Sequence, residues 1–355
     1  MSTKSVVLEL LEENAGSAVS GELIAKKTGV SRAAVWKAVN SLRNAGYVIQ
    51  GNTNGGYILE QSNDVFNKES MEFYLAKNFP QHKDSNINFY ESIDSTNNQA
   101  KRILAECGAL RDINGNLTSA GHRLHKSVYV AEQQTAGKGR LGRTFCSPKK
   151  TGIYLSIIYA PSGGITKPAR LTAFAAVAVC RAVKKLYGVE CSIKWVNDVF
   201  ANGKKICGIL TEGVANLELS CIESAVIGIG VNICDAPEFN TDELKSVVGS
   251  IAGTSAHKDF SIKRSELASE IIGQCLDLLE SPENAIEEYR SLSFIIGQTI
   301  DVCPVIGEKK SIYKAKAIDI DEDACLVVEL KDGSKKHLNS GEVSLRAINF
   351  ALKAN

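Results

Sequence analysis

Acidic residues are missing from a long central stretch of this chain: no Asp or Glu occurs between Glu132 and Glu190, and these two residues enclose ten Lys and Arg residues. The stretch contains three glycines within residues 137–142, spaced as in the G-x-G-x-x-G pattern of dinucleotide-binding folds. Such a fold also needs a helix directly after the glycines and an acidic residue about 20 positions further on. The missing acid and the early Pro148 exclude that fold.

The chain also lacks the usual signs of a secreted, zinc-binding or membrane protein. Its ten cysteines include no C-x-x-C spacing, which favours reduced thiols over disulfides or a zinc site. The H-x-x-H pair at 122–125 lies beside Gly and Ser, so we interpret it as part of a surface loop. The most apolar run, 171–180, is too short to cross a bilayer, and the polar N-terminus does not resemble a signal peptide. The net charge of +1 does not indicate any particular class of binding partner. From the cysteine usage we expect a cytoplasmic protein.

Hydrophobic periodicity divides the 355 residues into four segments. Residues 1–62 predict a winged helix-turn-helix, and residues 63–84 predict a polar linker with one helix near 68–78. Residues 85–295 alternate strands and helices, which predicts an α/β domain with a mixed sheet. Residues 296–355 predict a run of short strands. The expected fold is therefore an α+β multidomain protein.

The first segment carries the local signals of a winged helix. Ser20 and Ser31 are suited to cap its second and third helices, and Val35, Val39 and Leu42 recur at helical spacing in the third. Two short strands follow around an Asn-Thr-Asn-Gly-Gly turn. This order predicts a helix, a helix-turn-helix and a two-stranded wing.

Positive charge is concentrated in this same segment. Between Leu23 and Leu59 there are five Lys or Arg residues and no acid, which favours contact with DNA phosphates and base edges. The alternative is a small protein–protein interaction module, because winged helices also serve that role. The candidate DNA contacts are Arg32, Lys37, Asn40 and Arg43.

Residues 131–143 form a glycine-rich segment that follows a predicted strand and carries Lys138, Arg140 and Arg143. Many cations of an acid-free stretch are ordinary surface charges. Glycines, however, allow backbone N–H groups and side chains to face an anion together. We therefore predict that this loop binds an anion.

A second motif places Lys194 on a strand otherwise suited to burial. We predict one strand over 193–201 and another over 204–212, joined by the hairpin-turn signal Asn202-Gly203. By itself, Lys194 could lie on the outer face of an edge strand. Together with the cationic loop, it predicts a fixed, buried cation beside a mobile cationic segment. That arrangement suits the joining of a carboxylate to a nucleotide phosphate.

Two other segments carry weaker signals. The strand predicted over 225–233 contains two glycines, where a ligand or backbone could approach closely. Residues 108–126 make a long polar connection, which we interpret as an insertion without an assigned function.

These motifs together resemble those of bifunctional biotin–protein ligases that also repress the biotin operon. KWVND at 194–198 is similar to the K-W-P-N-D of that family, and Val196 and Lys138 stand where the family usually has Pro and Arg. The other matching segments are 95–97 (S-T-N), 131–143, 205–210 (KICGIL), 228–232 (GIGVN) and 340–346 (SGEVSLR). The resemblance spans the chain from the winged helix to the last strand, and it implies that the C-terminal strands form an SH3-like barrel.

The resemblance implies a two-step reaction. Biotin and ATP would give biotinyl-5′-adenylate and pyrophosphate, and the biotinyl group would then pass to a lysine of a biotin carboxyl carrier domain. Lys194 and Arg140 would be the catalytic residues, with Lys194 bridging carboxylate and phosphate. Mg²⁺ would accompany ATP, with Asp198 as a candidate ligand. The other implied partners are operator DNA and a second copy of the chain, paired when biotinyl-AMP is bound.

The resemblance also implies two sets of binding residues. The biotin set comprises Ser95, Thr96, Asn97, Gln134, Lys138, Gly139, Arg140, Lys194 and Gly208. The adenylate set comprises Arg143, Phe145, Asn197 and Asn232. Two alternatives remain: a DNA-binding sensor that has lost catalysis, against which the intact Lys194, Arg140 and Gly139 argue, and a lipoate ligase, against which the winged helix and the cationic loop argue.

Overall fold

The computed structural model describes residues 2–52, 55–61, 64–216, 221–239, 247–254, 262–303, 312–339 and 342–344. Three separate β-sheets occur in this part of the chain. None of its helices is long and apolar enough to span a membrane. The last predicted motif, 340–346, lies mostly outside the described residues.

The N-terminal segment is a winged helix, as predicted. Ser20 and Ser31 cap the second and third helices, because their hydroxyl oxygens accept the backbone N–H groups of Leu23 and Ala34. Gly29, at a φ of +68°, ends the second helix. The elements are α1 (Thr3–Glu13), α2 (Gly21–Thr28), α3 (Arg32–Asn44), β1 (Ile49–Asn52) and β2 (Gly56–Leu59).

The central domain is built on a seven-stranded mixed sheet of order β3-β4-β5-β9-β8-β7-β6. Its first two strands run parallel, and the other neighbours run antiparallel. The mixed sheet that the sequence predicts is therefore confirmed. The strands are β3 (Ile87–Tyr90), β4 (Val128–Ala131), β5 (Gly152–Tyr159), β6 (Ser192–Lys194), β7 (Asp198–Ala201), β8 (Lys204–Asn216) and β9 (Cys221–Asn232).

Helices cover both faces of this sheet. On one face, α5 packs Ala100 and Leu104 against Tyr129 and Ile158. On the other face lies the main core, to which α4, α7, α9 and α10 contribute buried residues. The helices are α4 (Lys68–Asn78), α5 (Thr96–Glu106), α6 (Ser119–Leu124), α7 (Pro168–Tyr187), α8 (Ile251–Thr254), α9 (Arg264–Glu280) and α10 (Ala285–Leu292).

Residues 64–84, nearly all of the segment interpreted from the sequence as a linker, are instead part of the folded protein. Its helix α4 has the predicted bounds, but Met71 and Leu75 are fully buried in the core of the central domain. Phe73 and Tyr74 pack into the core of the winged helix. A polar composition suggested a linker, whereas the helix is shared by two cores that only the tertiary fold brings together.

The insertion 108–126 is also folded rather than a polar loop. Arg111 is 5% exposed and donates to the backbone oxygens of Pro161 and Glu223. The H-x-x-H pair, predicted to lie in a loop, occurs at α6: His122 is exposed, and His125 Nδ1 accepts the N–H of Ala160 at 3.1 Å. Within the described residues, no cluster of His, Cys, Asp or Glu could hold a metal ion.

The C-terminal segment forms a five-stranded antiparallel sheet of order β13-β12-β11-β10-β14. Over the described residues this sheet is open, because no pairing joins β14 to β13. The strands are β10 (Thr299–Cys303), β11 (Tyr313–Ile320), β12 (Leu326–Glu329), β13 (Lys335–Leu338) and β14 (Glu342–Ser344).

Candidate active site

A cavity of about 570 Å³ opens at one end of the central sheet. The N-terminus of α5, the glycine-rich loop and the turn after β6 surround it. All of the residues predicted to bind biotin, adenylate or metal line this one cavity: Ser95, Thr96, Asn97, Gln134, Lys138, Gly139, Arg140, Arg143, Phe145, Lys194, Asn197, Asp198, Gly208 and Asn232. The fold thus brings together motifs that lie far apart in the sequence.

The charge of this lining is strongly one-sided. Among the described residues, a single carboxylate, Asp198, faces five cationic side chains. Cationic side chains lower the free energy of an anion bound beside them. A cleft lined by charges of one sign also concentrates the electric field inside it. The cavity is therefore suited to a polyanionic ligand. The cations are Lys138, Arg140, Arg143, Lys194 and Lys205.

The start of α5 forms one polar wall. The backbone N–H of Thr96 donates to Gln134 Oε1 at 2.8 Å, and Gln134 Nε2 donates to the Ser147 hydroxyl at 2.8 Å. Ser95 caps the helix through the N–H of Asn98. These side chains are oriented by the protein itself, which leaves their remaining hydrogen-bonding atoms in fixed positions.

Glycines on two paired strands make room for the side chains that line the floor. Gly208 of β8 pairs with Gly230 of β9, and the Phe145 ring lies against both. A Cβ at Gly230 would lie 2.5 Å from that ring, and one at Gly228 would lie 2.2 Å from Asn97 Oδ1. The predicted close approach is therefore real, but the approaching groups are the protein's own side chains.

The glycine-rich loop folds as a tight hairpin. The N–H of Phe145 donates to the oxygen of Gly137 at 2.9 Å, and that of Gly139 to Arg143 at 2.7 Å. A 3₁₀ turn, Arg140–Gly142, forms its tip. Residues 138–140 and 143–145 of this hairpin line one side of the cavity. We refer to the hairpin, residues 137–145, as the flap.

Arg140 reaches from this hairpin to the sheet. Its Nη1 donates to Asn197 Oδ1 at 3.1 Å, and Asn197 Nδ2 donates to the Ile209 oxygen at 3.0 Å. The arginine is thus directed into the cavity by a side chain that is itself attached to β8.

Lys194 ends β6 and is half-buried, not buried as predicted. The single strand predicted over 193–201 is wrong as well: the chain reverses at 195–197, so β6 and β7 form a tight hairpin. Trp195 Nε1 donates to the Ala324 oxygen at 3.0 Å, and the Tyr289 hydroxyl donates to the Val196 oxygen at 2.8 Å. Two contacts from distant segments therefore fix the turn that carries Lys194.

Asp198, the predicted metal ligand, lies beside a lysine of the neighbouring strand. Asp198 Oδ1 lies 2.7 Å from Lys205 Nζ, so this carboxylate is already paired. Mg²⁺ that accompanies a nucleotide is held by one or two carboxylates together with the phosphates. Asp198 could supply one such oxygen, and the phosphates would supply most of the rest.

Sequence reasoning missed several residues of the site. The Ser156 hydroxyl lies 2.8 Å from Thr96 Oγ1 and 2.6 Å from Asn97 Oδ1. Cys303 and Ile312, of the C-terminal segment, complete the cavity wall. A lone Ser inside an apolar strand was the available signal for Ser156. The two C-terminal residues gave none.

The predicted DNA surface divides into two groups. Arg32 and Lys37 are exposed on α3, as is Trp36 at 52%. Arg43 instead holds the wing: its Nε and Nη2 donate to the backbone oxygens of Ile49 (2.9 Å) and Gly51 (2.8 Å). Its Nη1 donates to Asn40 Oδ1 at 3.2 Å. Arg43 therefore links Asn40 of α3 to the backbone of the wing.

Three families match successive parts of the chain. Residues 3–58 match the HTH domain family, residues 118–232 match the biotin/lipoate A/B protein ligase family, and residues 295–346 match the biotin protein ligase C-terminal domain. Each match contains strands of a different sheet, and the second match begins after β3.

Two relatives match the chain over almost its whole length. Bifunctional ligase/repressor BirA of Bacillus spizizenii is 30% identical over 345 residues, which cover 96% of this chain and 97% of the relative. The protein of the same name from Escherichia coli is 27% identical over 353 residues, covering 98% and 99%. Among solved structures, biotin protein ligase from Aquifex aeolicus in complex with biotin and ATP has a TM-score of 0.55 at 22% identity. It covers 74% of this chain and 98% of its own, and it supports the fold alone. On the sequence relatives, this chain belongs to the bifunctional ligase/repressor family, within the biotin/lipoate protein ligases.

Proposed function

We propose that this protein is an ATP-dependent biotin–protein ligase that also represses transcription of biotin synthesis or uptake genes. The observation that carries the ligase proposal is the cavity with five cations and one carboxylate, built from a hairpin flap and a fixed turn. Its relatives are ligase/repressors, and one neighbour of the same fold binds biotin and ATP.

In the first step, a biotin carboxylate oxygen attacks the α-phosphorus of ATP. A P–O bond forms, the α–β phosphoanhydride bond breaks and pyrophosphate leaves. Both reactants are negative, so Lys194 would offset the charge that develops between them. Arg140, on the hairpin and tethered to Asn197, would cover the adenylate and exclude water.

In the second step, the amine of an acceptor lysine attacks the acyl carbon. A C–N bond forms, the C–O bond to AMP breaks, and the amine loses a proton to solvent. The acceptor would be a biotin carboxyl carrier domain of a biotin-dependent carboxylase. The flap must retain the adenylate until that domain arrives, because the mixed anhydride is readily hydrolysed.

The remaining lining residues would divide between the two parts of the ligand. The polar wall at the start of α5, with Gln134 and Gly208, would hold the biotin rings, while Lys138 and Gly139 would close over them. Arg143, Phe145, Asn197 and Asn232 would contact the adenylate. Mg²⁺ would enter with ATP, and Asp198 would supply it with a carboxylate oxygen.

The direct test supplies the protein with biotin, ATP, Mg²⁺ and a biotin-acceptor domain, and follows the acceptor by mass spectrometry. One biotinyl group should be added, and omission of ATP should abolish the addition. The same reaction with lipoate tests the alternative: preferential transfer of a lipoyl group would replace the biotin assignment. No transfer of either acid would leave a DNA-binding sensor without catalysis.

The repressor proposal rests on the exposed basic face of α3, where Arg32 and Lys37 would meet DNA. One winged helix offers few phosphate contacts, so two copies paired on a two-fold axis would bind a palindromic operator. We infer that biotinyl-AMP favours this pairing. Titration of operator-like duplexes with and without adenylate tests it, and equal affinity in both conditions would refute the coupling.

Three finer features complete the proposal. The C-terminal strands would form an SH3-like barrel, of which the described part is an open sheet. The domains would span 1–62, 85–295 and 296–355, with α4 joining the first two. The enzyme would act in the cytoplasm, where its ten cysteines stay reduced.

A further inference from the structure

Asn97, near the start of α5, is 4% exposed and lies in the cavity wall. Its Nδ2 donates to the Leu210 oxygen at 3.2 Å and to Glu212 Oε2 at 2.8 Å. Its Oδ1 accepts the Ser156 hydroxyl at 2.6 Å. Gly228 lies directly beneath, where a Cβ would lie 2.2 Å from that oxygen. Four neighbours therefore hold the Asn97 side chain in place.

The orientation of the Asn97 amide follows from the chemistry of these partners. The Leu210 carbonyl and an ionised Glu212 can only accept hydrogen bonds, so the amide nitrogen must face them. The amide oxygen then faces Ser156. Because an sp² oxygen has two lone pairs and Ser156 occupies one, the other can accept an N–H group of a ligand in the cavity.

This orientation depends on the charge of Glu212. Lys101, one turn along α5, places Nζ 2.7 Å from Glu212 Oε1. Burial alone would raise the pKa of Glu212, but the hydrogen bonds from Lys101 and Asn97, with the charges of Lys101 and Lys138, outweigh it and keep that pKa below its usual range. A protonated Glu212 would offer a donor instead, and the amide could then turn round.

We propose that Glu212 and Lys101 are positioning residues for ligand recognition. They lock the Asn97 amide with its oxygen toward the cavity, so that the site selects a ligand whose ring carries an N–H group. The inference rests on the proposed function, because the ureido ring of biotin has such N–H groups and the dithiolane ring of a lipoyl group has none. Neither residue touches the reacting atoms, so the effect is on binding of the acid substrate rather than on the chemical step.

The first test measures pyrophosphate release by the full chain against biotin and ATP concentrations. Glu212→Gln keeps the shape but can turn a donor toward Asn97. We expect KM for biotin to rise about tenfold, while kcat and KM for ATP stay within about twofold. Preference for biotin over lipoate should fall with it. Arg102→Met is the matched control. Arg102 lies on the same helix as Lys101, and its ion pair with Asp94 is outside this network. KM for biotin should therefore not change in this variant.

The second test separates orientation from packing. In Lys101→Met, burial should raise the pKa of Glu212, so KM for biotin should rise as pH falls from about 7 to about 5.5. The groups that face Glu212 are Lys101, Lys138 and the Asn97 amide, and Lys101→Arg should restore the flat profile of the wild type. Lys101 is partly exposed, so this variant should fold even if Glu212→Gln is less stable.

The two proposals fail in different ways. A wild-type protein that releases no pyrophosphate with biotin would refute the ligase assignment. An active protein whose Glu212→Gln variant has an unchanged KM for biotin, or whose Lys101→Met profile stays flat, would overturn the positioning role and leave the ligase assignment intact.

Discussion

Arg264 and Glu132 meet inside the protein, with Nη1 of the arginine 3.1 Å from each oxygen of the carboxylate. The side chains of both are almost fully buried. The same guanidinium lies 2.5 Å from Asp64, just before α4, and 4.6 Å over the Phe66 ring. One arginine thus joins the start of α9, the segment that leads from the winged helix, and the strand end that leads into the glycine-rich loop.

Removal of this arginine should be costly, because it leaves a buried carboxylate without its partner. We expect Arg264→Met to lower the free energy of unfolding by about 3 kcal/mol, measured by urea denaturation. Arg181→Met is the control: its pair with Glu288 lies nearer the surface and should cost less than about 1 kcal/mol. Adding Glu132→Gln to Arg264→Met should recover part of the loss. Equal effects of the two arginine variants would contradict the buried-pair argument.

Lys194→Ala should abolish most adenylate formation. Contacts of Trp195 and Tyr289 hold the turn next to Lys194 in place. Within the described cavity wall no other cation lies at this turn, so we expect pyrophosphate release to fall at least about 100-fold. Lys149→Ala, at an exposed ion pair with Glu91, should leave the rate unchanged. Near-normal release by Lys194→Ala would mean that another group offsets the developing charge.

Arg140→Gly should release the adenylate early, because the flap loses the hydrogen bond from Arg140 Nη1 to Asn197 Oδ1. The free adenylate would then label bystander lysines, detectable as acceptor-independent biotinylation of added albumin. Asn197→Ala should show a weaker form of the same defect, since the arginine stays but is no longer directed. Wild-type retention of adenylate in Arg140→Gly would disprove the covering role.

The salt dependence of DNA binding should distinguish a residue of α3 that contacts a phosphate from one that holds the wing. Lys37→Ala should lower the slope of log affinity against log salt by about 1, because one phosphate contact is lost. Arg43→Met should weaken binding with little change in slope, since Arg43 holds the wing rather than a phosphate. The probe is a duplex selected from a randomised pool by the wild-type protein. A reduced slope in Arg43→Met would return that residue to the DNA contacts.

His125 should make stability fall in mild acid. Burial, with the charges of Lys126, His122 and Arg111, lowers the pKa of His125 from 6.5 to about 4. The unfolded chain therefore takes up a proton between these values that the folded protein does not, and stability is lost as pH falls from about 6.5 to about 4. His125→Asn keeps an acceptor for the Ala160 N–H and should flatten this part of the profile. His122→Asn, at an exposed site, should not.

Short-range chemistry is what the sequence by itself determined. The caps at Ser20 and Ser31 and the bounds of α4 follow from residues a few positions apart. The cationic loop and the Lys194 motif identify an anion site for the same reason: glycine spacing and charge are local properties. The sequence could also name the lining of the cavity, through the motifs that resemble the family.

Long-range contacts are what only the tertiary structure decided. The sequence placed α4 in a linker, whereas the helix lies between two cores. It also gave no sign that Arg43 holds the wing. Lys194 is half-buried because its strand ends in a turn fixed by the distant Tyr289 and Ala324. The lock on Asn97 needs Glu212, more than a hundred residues away. Burial and pairing depend on which segments meet in space, and residue types along the chain do not specify those meetings.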